Sequence, residues 1–252
     1  MLDRVDLITK ATQLRKQLGE DSSSPIDIFA IVQSLDKLTL VFYPMSANLS
    51  GMCIKSEKGN NVIAINSTMT LGRQRFSLAH ELYHLFFDDT MISVCAKSFA
   101  IGGEEERKAD AFASYFLMPP AELETKAKSL AEKNANKKLT LDDIIRIEQY
   151  FGISHQATVI GLKSCKYMNP DDVEDFLITS VRRRAEAMGY SPNLYLPLPE
   201  NQQYKTYGHY IDQTQKVFEL GLVSSGKYEE LLLDAFRDDL VYGDDEGGDL
   251  ID

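Results

Sequence analysis

The segment that most constrains this chain is RQRFSLAHELYHLFF, residues 73–87. Phe76, Leu78, Ala79, Leu82, Tyr83, Leu85, Phe86 and Phe87 make a helix here apolar nearly all round, so it belongs in an interior. Yet the same segment carries His80, Glu81 and His84. Buried polar groups without partners are costly, and buried charges more so, so the fold must supply something for these three to bind. Residues i and i+4 of a helix lie about 40° apart, which puts both imidazoles on one face, able to share a metal ion. Glu81 stands about 100° round from His80, beside such an ion rather than on it, where a general base for a metal-activated water belongs. One Zn2+ per chain satisfies all three residues.

A hydrolytic zinc centre takes three protein ligands and leaves a fourth position for water. The other histidines, His155 and His209, lie in segments without ligand spacing. GEEERKADAFASYFLMP, residues 103–119, is the better source of a third ligand. Ala109, Phe112, Ala113 and Phe116 recur at i, i+3, i+4 and i+7, which predicts a helix with one buried face. Glu105 and Glu106 both flank that stripe while Glu104 faces away, and helical geometry alone does not choose between the two. Asp110 is placed to accept a hydrogen bond from the second nitrogen of a ligand histidine. For an oxyanion or substrate contact besides the metal, the candidates are Tyr83, Tyr115 and His155.

Around these two helices the pattern predicts an α+β fold. A helix over Leu7–Leu18 ends near Gly19, and IDIFAIVQSL reads as a second helix with Ser24 at N-cap and Pro25 at N1. LTLVFYP, LSGMCIK and NVIAINS read as a small sheet of about three strands, the last two a hairpin turning at Lys58-Gly59-Asn60. NVIAINS is the strand on which an extended substrate is expected to pair, at its edge. Further helices are predicted near 103–117, 120–134, 141–151 and 154–166. The last two, joined by Gly-Ile-Ser, have a helix-turn-helix shape. Their cations, Arg146, Lys163 and Lys166, are sparse and offset by Asp142, Asp143 and Glu148, so direct DNA binding is not expected.

Charge divides the chain. Residues 1–168 hold 20 basic and 20 acidic side chains, whereas residues 169–252 hold 7 and 18, so the whole net charge of −11 lies after the Asn169-Pro170 turn signal. Two regions are expected: 1–168 with the metal chemistry, and 169–252, helical and acidic, interrupted by an extended SPNLYLPLPE and ending in a disordered tail at 243–252. The acidic region offers a surface to a basic partner, and the overall charge argues against a general binder of nucleic acid or anionic membrane. No secretory leader and no apolar run of about 18 residues is seen, so a cytoplasmic protein without a membrane partner is expected. Cys53, Cys95 and Cys165 have no C-x-x-C pairing, which suits a reducing compartment, and all three read as inert packing residues.

The ordered set PIDI (25–28), LSG (49–51), INS (65–67), RQRFSLAHELYH (73–84) and ExxADxFAxYFLMP (106–119) resembles the ImmA/IrrE family of zinc metallopeptidases over roughly residues 10–168. The resemblance implies a gluzincin-like core with a helical C-terminal extension, in which His80, His84 and Glu106 are the zinc ligands and Glu81 the catalytic base. Glu106 is favoured because the family's glutamate stands three residues before the alanine matched by Ala109. The resemblance also implies a partner: such proteins cleave or inactivate a helix-turn-helix (Xre-like) repressor, derepressing mobile-element or stress-response genes. A non-proteolytic regulator that sequesters its repressor, with zinc merely structural, is the alternative; Glu81 favours the enzyme, since a structural site needs no base. One departure from the family is Tyr83, where glycine is common, which puts substrate fit in question.

Overall fold

The computed structural model describes residues 3–96, 103–168 and 170–243. Two helices, α1 (Arg4–Gln17) and α2 (Ile28–Gln33), precede strands β1 (Leu38–Tyr43), β2 (Leu49–Ile54) and β3 (Asn61–Asn66). Helix α3 (Leu71–Phe87) follows, then β4 (Ile92–Ala96), α4 (Glu104–Leu117), α5 (Pro120–Ala131), α6 (Leu141–Phe151) and α7 (His155–Ser164). The remaining chain forms α8 (Pro170–Leu177), α9 (Arg182–Ala187), β5 (Lys205–Gly208), α10 (His209–Glu219), α11 (Ser225–Asp234) and α12 (Asp238–Tyr242). The α+β class and the helical C-terminal part are as the sequence predicts.

The sheet is larger than expected. Its five strands run β4-β2-β3-β1-β5, parallel only between β1 and β3 and antiparallel elsewhere. The hairpin of β2 and β3 forms as predicted, with Gly59 at φ 82° in its turn. Strand β3 lies inside the sheet, bonded on both sides, so the expectation that a substrate pairs along NVIAINS is corrected: its main-chain groups are already taken. Strand β5 draws residues beyond 168 into the same sheet by pairing with β1. SPNLYLPLPE is not wholly extended: it holds a short 3-10 turn, Pro192–Tyr195, and a second, Glu200–Gln202, begins at its last residue.

Local chemistry sets several of these elements. Helix α2 begins later than predicted because Asp27, not Ser24, caps it, accepting from the N–H groups of Phe29 and Ala30. Asn66, fully buried at the end of β3, donates to the carbonyls of Ser46 and Leu49 and accepts from Met45 and Thr68, fixing the path into β2. Arg75 of α3 donates to the carbonyls of Gly152 and Ile26. Asn66 and Arg75, in the segments flanking the site, therefore hold the frame. One core joins α1, α3, α4 and the sheet through Leu7, Leu14, Ile63, Ile65, Leu78, Leu82, Phe112 and Phe116. Of the predicted tail, all but Gly243 lies outside the described residues.

Helices α6 and α7 do form a helix-turn-helix shape, with Gly152 left-handed at the turn (φ 64°). Its interior is ionic. His155 stands against Glu148, which is wholly buried, while its Nε2 donates to the carbonyl of Phe176 at 2.7 Å and the Tyr195 hydroxyl donates to Glu148 at 2.9 Å. Burial alone lowers the His155 pKa, but the hydrogen bond and charge of Glu148 outweigh it and raise the value above 6.5. A raised folded pKa stabilises the fold fully below the unfolded value, and that stability is lost as pH rises through the folded one. Thermal melts of wild type and His155→Asn are therefore expected to differ most near pH 6 and to converge on the alkaline side. A gap that widens with pH overturns the assignment.

Candidate metal centre

Helix α3 presents His80, Glu81 and His84 from an interior position, with Glu81 fully buried and the imidazoles 6% and 2% exposed. Helix α4 packs across it and brings Glu106 to both imidazoles. His80 Nε2 lies 3.2 Å from His84 Nε2 and 3.3 Å from Glu106 Oε2, and His84 Nε2 lies 3.4 Å from Glu106 Oε1. Donors held about 2.0–2.1 Å from a tetrahedral zinc lie about 3.4 Å from one another, so these separations suit such an ion.

Each histidine is turned by a carboxylate on its far side. His80 Nδ1 donates to Asp110 Oδ1 at 2.9 Å, and His84 Nδ1 donates to Asp88 Oδ2 at 2.7 Å. An ionised carboxylate only accepts, so Nδ1 carries a hydrogen and each Nε2 is the nitrogen turned to the centre. Asp110 stands where its helical position placed it. Asp88 was missed in the sequence, although its signal was there: it follows His84 by four residues, at the point where α3 ends in an extended residue.

A fourth group was also missed. Cys95 Sγ, completely buried on β4, joins His80, His84 and Glu106 in a cluster whose ligand atoms all lie within 4.8 Å of one another. The reading of all three cysteines as inert packing residues does not hold for Cys95. Burial raises its pKa, but hydrogen bonds to His80 and His84 outweigh this and bring the thiol down to about 6. Burial likewise lowers His84, yet contacts with Cys95, Glu106 and Asp88 push it up to about 10. Glu106 is held well below the carboxylate range by the two histidines. Two imidazole nitrogens, a carboxylate and a thiol in so small a space need cations among them, either protons or a metal ion.

Glu81 differs from all of these. Among the described residues neither carboxylate oxygen has a hydrogen-bond partner, and burial pushes its pKa well above the ordinary range. It fits because residue 51 is glycine: a Cβ there would stand 2.9 Å from Glu81 Oε1 and 3.0 Å from the Ala64 carbonyl.

The remaining candidates are engaged elsewhere. Tyr83, 2% exposed, packs against Phe87 and Phe112 and donates its hydroxyl to Glu105 at 3.0 Å. That contact, with Lys108 on the same carboxylate at 2.6 Å, occupies Glu105 and leaves Glu106 to the centre. Tyr115 lines a cavity of about 340 Å³ with Phe76, Ala157 and Ile160, which meets the centre only through Asp110 among the residues named for it. His155 belongs to the buried pair with Glu148.

The sequence profile of the IrrE N-terminal-like domain, peptidase family M78, matches residues 38–163. Among solved structures, a Mycobacterium tuberculosis transcriptional regulator aligns with a TM-score of 0.41 at 18% identity, over 63% of this chain and 46% of that one. This chain thus spans under half the length of that regulator. No curated protein sequence matches the chain. The profile takes in half of the chain, including β1 to β4, α3 and α4, and so the chain belongs to the M78 peptidase family, through an IrrE N-terminal-like domain.

Proposed function

We propose that the protein is a zinc-dependent endopeptidase whose substrate is a helix-turn-helix repressor. The observation that carries the reading is the unpartnered, fully buried carboxylate of Glu81 beside a cluster of metal-ligating groups. A buried carboxylate without hydrogen-bond partners calls for an explanation, and a water or ion held at the centre supplies one. His80, His84 and Glu106 would hold the zinc, and Asp110 and Asp88 would fix the imidazoles. Bound there, zinc supplies a Lewis acid that polarises a peptide carbonyl and brings the pKa of water toward about 7.

The chain's own part is proton movement and water exclusion. A Glu81 oxygen takes the proton of the attacking water and returns it to the leaving amine. Burial raises its pKa above that of an ordinary glutamate, which helps it hold the proton it takes from water until the amine leaves. Family membership supports the repressor as substrate. The acidic surface after residue 168 supports a basic partner. No helix among the described residues is long and apolar enough to cross a membrane.

The test is to measure the zinc content of the purified protein and to incubate it with a helix-turn-helix protein encoded beside its gene. One zinc per chain is expected, with a defined cut in the repressor that a chelator stops and added zinc restores. Loss of repressor DNA binding with no cut would favour sequestration instead.

A further inference from the structure

A hydrolytic centre needs its fourth position open, yet here Cys95 Sγ lies within 4.8 Å of the ligand atoms of His80, His84 and Glu106. Where these groups sit in the fold reconciles the two facts. His80, His84 and Glu106 come from α3 and α4, in the middle of the core. Cys95 comes from β4, a five-residue strand at the edge of the sheet, bonded among the described residues to β2 alone. Its outward residues, Ile92 and Val94, are 64% and 53% exposed, so little apolar burial holds it down. The register explains the aim. Cys95 pairs with Gly51, the residue whose missing side chain makes room for Glu81, and an irregularity between Leu49 and Gly51 breaks the ladder at that point. Bulges of this kind re-aim a side chain. Ser50 fixes the result by donating its hydroxyl to the Cys95 carbonyl at 3.2 Å.

The edge of β2 is also the edge a substrate needs. An extended peptide gains main-chain hydrogen bonds by adding to an open sheet edge. Of the strands nearest the centre β3 is closed on both sides, which leaves β2, where β4 now lies antiparallel.

We propose that β4 is an internal pseudosubstrate: its main chain occupies the β2 edge on which an extended peptide is to pair, antiparallel, and Cys95 occupies the metal position that hydrolysis requires. A substrate chain taking the register of β4 would pass its scissile carbonyl opposite Gly51, over Glu81. Displacement of β4 opens both sites together and leaves the other three ligands in place. The inference rests on the metal reading above, and its test separates the two.

Full-length wild type, Cys95→Ala and Cys95→Ser are stripped of metal and loaded with Co2+, with far-UV circular dichroism as the check on folding. Wild type is expected to bind one cobalt with a near-ultraviolet thiolate charge-transfer band, and its visible spectrum should not respond to acetohydroxamate. Both variants should keep one cobalt, lose the band and shift on adding acetohydroxamate. Folded wild type that binds no cobalt overturns the metal site itself. Cobalt bound in wild type without the band overturns only the role of Cys95. Folded variants that no longer hold cobalt, or hold it without responding to acetohydroxamate, make Cys95 a permanent structural ligand and overturn the pseudosubstrate.

Discussion

Glu81→Gln should reduce peptide cleavage by about 10²- to 10⁴-fold, the range that a general acid–base contributes, while zinc stays at one per chain. Glutamine has the shape of glutamate and fits the room left by Gly51, so the substitution removes the proton acceptor and little else. It also exchanges a buried, unpartnered carboxylate for a neutral amide, so folding should be no less stable. Zinc by atomic emission, thermal melting and repressor cleavage followed by intact mass separate the three consequences. The comparison belongs in both the wild-type and Cys95→Ala backgrounds, because the strand bearing Cys95 sets how much cleavage there is to lose. Undiminished turnover with full zinc in either background sinks the mechanism.

Arg15→Met should cost about 3 kcal/mol or more, a fall in Tm of roughly 10 °C for a chain of this size. Arg15 is 1% exposed, and its guanidinium donates to three carbonyls: Phe116 at 2.6 Å, Asp21 at 2.7 Å, and Ser24. Phe116 belongs to the last turn of α4, where carbonyls have no partner within the helix and the dipole favours a cation. Methionine fills the space but donates nothing, leaving the buried Phe116 carbonyl unpaired at about 1–3 kcal/mol and taking the shared donor from the part-buried carbonyls of Asp21 and Ser24. Lysine should recover only part of the loss, since one ammonium cannot reproduce the planar fork. Because α4 also carries Glu106, the methionine variant should bind zinc less tightly while folded. A urea titration showing a change within about 0.5 kcal/mol would refute the account.

The two helices of the centre were legible because each carries its own evidence. In α3 an apolar surface surrounds two imidazoles at i, i+4, and in α4 an apolar stripe fixes which acids lie beside it. Choosing Glu106 over Glu105 needed the family resemblance. The structure adds a reason outside helical geometry, namely that Tyr83 and Lys108 take Glu105. Cys95 was not legible by spacing. A ligand on the same helix must sit at i+3 or i+4, whereas one on a strand arrives through cross-strand register, which a loop of any length can satisfy. Strand β5 was missed for a related cause: four residues ending in Gly208 at φ 80° show no alternation long enough to read. What held from sequence was local chemistry; what failed was pairing between distant segments.

The pairing of β1 with β5 has a consequence for how the protein is made. Thr39 of β1 accepts a hydrogen bond from Tyr210, just past β5 and 171 residues further along the chain. At roughly 5–20 residues per second, a ribosome needs about ten to thirty seconds to travel that distance. Through that interval the nascent chain has an unsealed flank on β1, open to pairing with any neighbouring strand, even after Asp110 completes the parts of its chemical centre. The last third of the polypeptide thus ends the period in which the first third is vulnerable to misassembly during synthesis.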